Sequence, residues 1–170
     1  MAPDILVLKS RVVQELDNLK HLREELKETL KPYKDKPIKN SVLLRALGSI
    51  LHDFYSGVEK IFLHIAKEID QTAPKSETWH RLLLEQMTLN LEGRRPPVIT
   101  RQMAKDLEVY LSFRHRFRNL YGFELSWERM EPLVLNMPQT VEKFSREIHA
   151  FLELLTKAGA EEETQKAKKR

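Results

Sequence analysis

The chain has 170 residues, 41% of them hydrophobic and 32% charged, with only 5 glycines and 8 prolines, a balance that suits one well-solvated, mainly helical domain with a real core. It contains no cysteine, which excludes disulfides, thiolate zinc sites and cysteine nucleophiles and fits a reducing cytoplasm. The formal net charge is +4, so a nucleic-acid partner is permitted but not required, and no run approaches the ~18 consecutive apolar residues of a membrane span.

The first residues lack the basic region and apolar run of a signal peptide. Ile5, Leu8, Val12, Leu16, Leu19, Leu22, Leu26 and Leu30 recur every three or four residues, which predicts a helix with one apolar stripe, ended by Pro32 and Pro37. A second segment carries Leu47, Ile50, Leu51, Phe54, Val58, Ile61, Phe62, Ile65 and Ile69 at the same spacing. Its broad apolar face predicts the central core helix, capped at its start by Asn40 or Ser41. Gln71 to Glu77 reads as a loop. A shorter helix is expected from Thr78 to about Leu91, holding Trp79, Leu82, Leu83 and Met87, until EGRRPP (Glu92 to Pro97) breaks the chain.

Thr100 then looks like the N-cap of a helix carrying Leu107, Tyr110, Leu111, Phe113 and Phe117, weakened or ended by Gly122. Past Trp127, Pro132 and Pro138 are expected to interrupt the chain. A last helix holds Val141, Phe144, Ile148, Phe151 and Leu155 and stops at Gly159. The charged residues from 160 to 170 are expected to form a disordered tail. The fold class is therefore all-α: a helical bundle over residues 1–159, of four long helices and one or two short ones.

There is no GxGxxG, Walker loop, HExxH or GxSxG. The six histidines are scattered. His52, Asp53 and Glu59 read as polar residues flanking the core helix rather than as metal ligands, since no second His stands four positions away. His80, after Trp79 at a helix start, reads first as packing. Arg94 and Arg95 before two prolines make a rigid display of two cations suited to phosphate, but taken alone they read first as a solvated loop. No metal and no cofactor is implied.

The unusual stretch is FRHRFRNLYGFEL, Phe113 to Leu125. Arg114, His115, Arg116 and Arg118 crowd among aromatic rings, more charge than a core helix wants and more rings than a solvent face wants. On an ideal helix Arg114, Arg118 and Tyr121 share one face, where stacked guanidiniums invite an anion between them. The rings could stack on unpaired bases. The alternative is an amphipathic helix whose cations snorkel from a core of Phe113, Phe117 and Leu120. Composition leaves both readings open.

This stretch resembles the signature of the HEPN superfamily, and within it the HepT-like ribonuclease toxins: an Arg, a polar residue, a short spacer, then His-x-Tyr. Arg114 matches the Arg, His115 the polar residue and Tyr121 the Tyr. LHDFYSGVEKIF (Leu51 to Phe62), WHRLLLEQM (Trp79 to Met87), RRPPVIT (Arg94 to Thr100) and YGFELSWERM (Tyr121 to Met130) look similar in order, so the pattern spans roughly residues 5 to 155. The resemblance implies an all-helical homodimer in the cytoplasm and RNA cleavage without metal, through attack of the ribose 2′-OH on the phosphate. It implies catalytic positions at 114, 115 and 119, with Arg114 holding the scissile phosphate; the neighbouring charges of Arg116 and Arg118 are expected to contact RNA. It also implies a nucleotidyltransferase-fold antitoxin that silences the toxin by AMP transfer to Tyr121.

One position departs from the pattern. The family His falls at 119, where this chain has Asn119. A neutral imidazole can take the 2′-OH proton near neutral pH, and an amide cannot. Three outcomes stay open. His115 replaces the missing imidazole, Asn119 orients the 2′-OH or the phosphate in a slow nuclease, or the module is catalytically inactive and binds RNA, nucleotide or a protein partner. Positions 114 and 119 are about 140° apart on an ideal helix, so they converge only if the helix bends or ends between them or a second chain completes the cleft.

Overall fold

The structure, a computed structural model, describes residues 4–34 and 36–168. Five helices account for it: α1 Ile5–Leu30, α2 Ser41–Ile65, α3 Trp79–Gln86, α4 Arg101–Phe117 and α5 Trp127–Lys168. Among the described residues the one β-type contact is an isolated bridge between Leu91 and Arg95. The helices begin where polar side chains can take up free N–H groups. Asp4 accepts from Val7 N, Asn40 from Val42 N and Leu43 N, and Thr100 from Met103 N. Of the two caps proposed for α2, Asn40 is therefore the one used.

α2 is the central helix. It packs against α1, α3, α4 and α5, and Leu47, Leu51, Phe54, Val58, Ile61, Phe62 and Ile65 are buried along it. At Gly48 an added Cβ would lie 2.6 Å from the ring of Phe117. The bare backbone there lets the end of α4 rest directly on α2. A single π-turn, Ala66–Asp70, ends this helix and turns Asp70 inward.

Asp70 meets Arg95 in a fully buried pair, Nε to Oδ1 at 2.6 Å and Nη2 to Oδ2 at 2.7 Å. Arg95 also donates to the carbonyls of Gln86, Leu89 and Pro96, and Arg94 donates to the carbonyl of Asp70. The two arginines are thus neither a phosphate display nor a solvated loop. They tie residues 86–96 to the end of α2, because a buried carboxylate must find a cation. The helix expected to reach Leu91 stops at Gln86, since this clasp takes the chain beyond it.

α5 differs from expectation at both ends. It starts at Trp127 and runs through Pro132, Pro138 and Gly159 to Lys168, where an interruption and a stop were expected. Each internal proline costs ~3 kcal/mol. Burial of Met130, Val134 and Met137 on the core, at roughly 1.5–3 kcal/mol each, offsets most of that. Gly159 lies against Ile5, whose Cδ1 would be 3.1 Å from an added Cβ; it is a close-packing point with the start of α1. Lys169 and Arg170 lie outside the described residues. No helix among the described residues is long and apolar enough to cross a membrane.

Candidate active site

α4 ends at Phe117, between positions 114 and 119. The shared face expected for Arg114, Arg118 and Tyr121 therefore does not exist. The backbone leaves the helix through turns at Arg118 and Asn119, and Tyr121 is extended, with its N–H donating to Glu124 at 2.6 Å. Gly122 is buried where a Cβ would collide with the Arg45 guanidinium. The close approach of that cation to the backbone requires glycine.

The cations separate into two layers. His115, Arg116 and Arg118 are exposed, as is Asn119, whose amide among the described residues reaches only the carbonyl of His115, at 3.4 Å. Tyr121 and Phe123 are 69% and 77% exposed, with rings stacked at 5.3 Å and nearly parallel. Arg114 is the opposite case. It is 1% exposed and lies over the Tyr55 ring, 5.1 Å from its centroid. Its Nη2 contacts both oxygens of Glu59, at 3.1 and 3.0 Å, and its Nη1 donates to Ser56 Oγ at 3.3 Å. The expectation that Arg114 holds the scissile phosphate thus meets a guanidinium already committed to a buried carboxylate. A helical register that faces the core buries it, and Glu59 makes that burial tolerable.

His80 completes this inner layer. Its Nδ1 stands 2.5 Å from Glu59 Oε2 and 2.8 Å from Arg114 Nη2. Trp79 stacks on the imidazole at 3.8 Å, and His115 meets it edge-on at 5.2 Å. The outer and inner layers therefore touch through His115. Burial, followed by the neighbouring charges of His80, Arg114 and Arg118, pushes the His115 pKa down, against a smaller opposing pull from Glu59. Burial pushes the Tyr55 hydroxyl well above its usual range, with the Glu59 charge adding to it.

Of the positions predicted from sequence, His115, Arg116, Arg118, Asn119 and Tyr121 gather at the exposed end of α4, and Arg114 lies beneath them. Sequence alone reads Glu59 as helix flank and His80 as packing. A signal for Glu59 was present: it sits within the buried stripe of α2, four residues after Tyr55, where a carboxylate needs a cation opposite. Nothing in the sequence pairs it with His80, 21 residues on across a loop. His52 bonds its neighbour Asp53 at 3.2 Å and takes no part in the cluster with Glu59.

Residues 46–155 match the family model described as HepT-like protein. The span covers more than half the chain, from inside α2 to inside α5, and includes Glu59, His80, Arg114 and Tyr121. No curated protein and no solved structure matches the chain.

Proposed function

The chain belongs to the HepT-like family of the HEPN superfamily, and from that premise we propose that it is a toxin-type endoribonuclease that needs no metal. The observation that carries the reading is the exposed basic end of α4. His115, Arg116 and Arg118 lie beside two stacked, solvent-facing rings, Tyr121 and Phe123. Guanidiniums hold phosphates and rings take up splayed bases, so the surface has both elements of single-stranded RNA recognition. In this reading Asn119 orients the 2′-OH or the phosphate. Arg114 adds positive potential from beneath without reaching the substrate. Two such ends facing one groove in a homodimer would lengthen the track.

The same surface suits control by a nucleotidyltransferase-fold antitoxin. The Tyr121 side chain is open to a transferase, and AMP on its hydroxyl would place a phosphodiester and a nucleoside beside Arg118, blocking RNA by bulk and by charge. A second reading, an inactive module that binds RNA, nucleotide or a protein partner, is favoured by Asn119 standing where the family has His.

Incubation of the protein with RNA in EDTA separates the two. Cleavage that falls in Arg118→Ala supports the nuclease. Salt-sensitive binding with intact RNA supports the inactive module. Neither cleavage nor binding rejects both. Incubation with a nucleotidyltransferase antitoxin and ATP, read by mass spectrometry, should place one AMP on Tyr121 and none on Tyr121→Phe.

A further inference from the structure

We propose that His80, oriented by Glu59, is the proton acceptor of this site and supplies the imidazole that position 119 lacks. The assignment rests on the endoribonuclease reading above.

The geometry constrains the ring. Glu59 is a carboxylate in an almost wholly buried position, 7% exposed. Two groups neutralise and satisfy it: Arg114 through Nη2, and His80 through Nδ1. A guanidinium only donates. If Nδ1 carried a lone pair toward Arg114, that lone pair would also face Glu59 Oε2 at 2.5 Å, acceptor against acceptor. We therefore place the proton on Nδ1, donated to Glu59 across the shorter contact, while Arg114 Nη2, 2.8 Å away, directs its hydrogens to the two Glu59 oxygens. In the neutral ring the lone pair is then on Nε2.

Nε2 makes no hydrogen bond among the described residues, and it is absent from the buried unpaired atoms there, which are Arg114 Nε and Ser145 Oγ. The side chain keeps 14% of its surface open. A histidine serving packing alone would bury or satisfy that nitrogen. Here one edge is locked by a carboxylate, the ring plane is held by Trp79 and His115, and the other edge opens toward solvent. That is the arrangement a general base needs: fixed tautomer, fixed orientation, free lone pair.

His115 lacks these supports. Its imidazole has no hydrogen-bond partner among the described residues and no carboxylate to fix it. Its ring meets His80 at 5.2 Å and feels the charge of Arg118, so its part is to contact the phosphate that Arg118 attracts. Arg114 is a positioning residue. It balances Glu59 and, through it, holds His80.

In the step this implies, the 2′-OH gives its proton to His80 Nε2 as the 2′-oxygen attacks phosphorus. The P–O5′ bond breaks, leaving a 2′,3′-cyclic phosphate. The departing 5′-oxygen takes a proton from water, and the imidazolium returns its proton to the hydroxide left behind. No metal or redox partner enters the balance.

The ionisable groups facing His80 are Glu59 on α2 and Arg114 and His115 on α4, while Arg81, next to it on α3, is turned to Glu108. The test uses the full chain and a single-stranded RNA oligonucleotide in EDTA. His80→Gln should lower kcat by about 10²–10⁴-fold with RNA affinity unchanged. It should also abolish the acid limb of the kcat/KM profile, and that limb should persist, at whatever rate, in His115→Gln. Added imidazole should restore part of the rate to His80→Gly. Nitrogen shifts of the wild-type ring should report Nδ1–H and a bare Nε2. If the wild type cleaves and His80→Gln cleaves equally, this assignment fails and the nuclease reading stands. If the wild type never cleaves, both fail. If Nε2 carries the proton in the neutral ring, the assignment fails whatever the activity.

Discussion

Replacing Arg114 by alanine tests whether the inner layer holds the fold as well as the site. The change removes the guanidinium that contacts both oxygens of Glu59 and the Ser56 hydroxyl. Glu59, 7% exposed, keeps only His80 as a partner. Removing one member of a buried pair costs roughly 3–5 kcal/mol, because the other charge stays desolvated. Against the ~5–15 kcal/mol that stabilises a typical domain, that is a large share. With a urea m-value of about 2 kcal/mol/M the midpoint should fall by roughly 2 M, read by far-UV circular dichroism. Combining Arg114→Met with Glu59→Gln should recover most of the loss, since no charge is then stranded. Arg114→Lys should fall between, because a single nitrogen makes both carboxylate contacts and a point charge can stand in for it. A midpoint shift in Arg114→Ala below about 0.5 M, typical of a surface pair, would refute the reasoning. The result also governs how activity data are read: lost cleavage in Arg114→Ala is informative only at temperatures where the variant is folded.

Arg95→Ala should cost a comparable ~3–5 kcal/mol in the same assay, since it strands Asp70 and leaves three carbonyls without their donor; a cost under about 1 kcal/mol would show that residues 86–96 hold without the clasp. Gly48→Ala should lose about 1–3 kcal/mol through collision with Phe117, and indole or imidazole signals from Trp79, His80 and His115 should shift as α4 moves; unchanged stability and spectra would mean that the ring simply swings aside. The pKa of His64 is lowered by burial and then by Arg11, so the folded state resists its protonation. Its sign follows: no penalty stands above the unfolded imidazole value, and stability drops as pH falls through that value toward the folded one. His64→Gln should flatten thermal stability on the acid side of about pH 6.5, and an identical pH profile in the variant would exclude this contribution.

Spacing of apolar residues was enough to determine the all-helical class, the position of α2 as the central helix, the bounds of α1 and the N-cap at Thr100. These depend on neighbours within one or two turns, and a repeat of three or four residues reports them directly. The crowd of cations after Phe113 and the family pattern were equally legible, but the shared helical face expected for Arg114, Arg118 and Tyr121 was not, because α4 ends at Phe117. Tertiary structure decided what each charge does. The sequence shows Arg94, Arg95, Arg114 and Arg118 as one residue type in two clusters, yet two of them are buried against Asp70 and Glu59 and one, Arg118, is exposed. A buried ion pair is a relation between distant positions, 25 residues apart for Arg95 and 55 for Arg114, and no local period carries it. The two prolines and the glycine of α5 follow the same rule: local cost argued for breaks, and contacts with the core and with Ile5 overrode it. His80 shows the limit most clearly, because its proton and its free nitrogen are settled by a carboxylate and a guanidinium that reach it only once α2, α3 and α4 have packed.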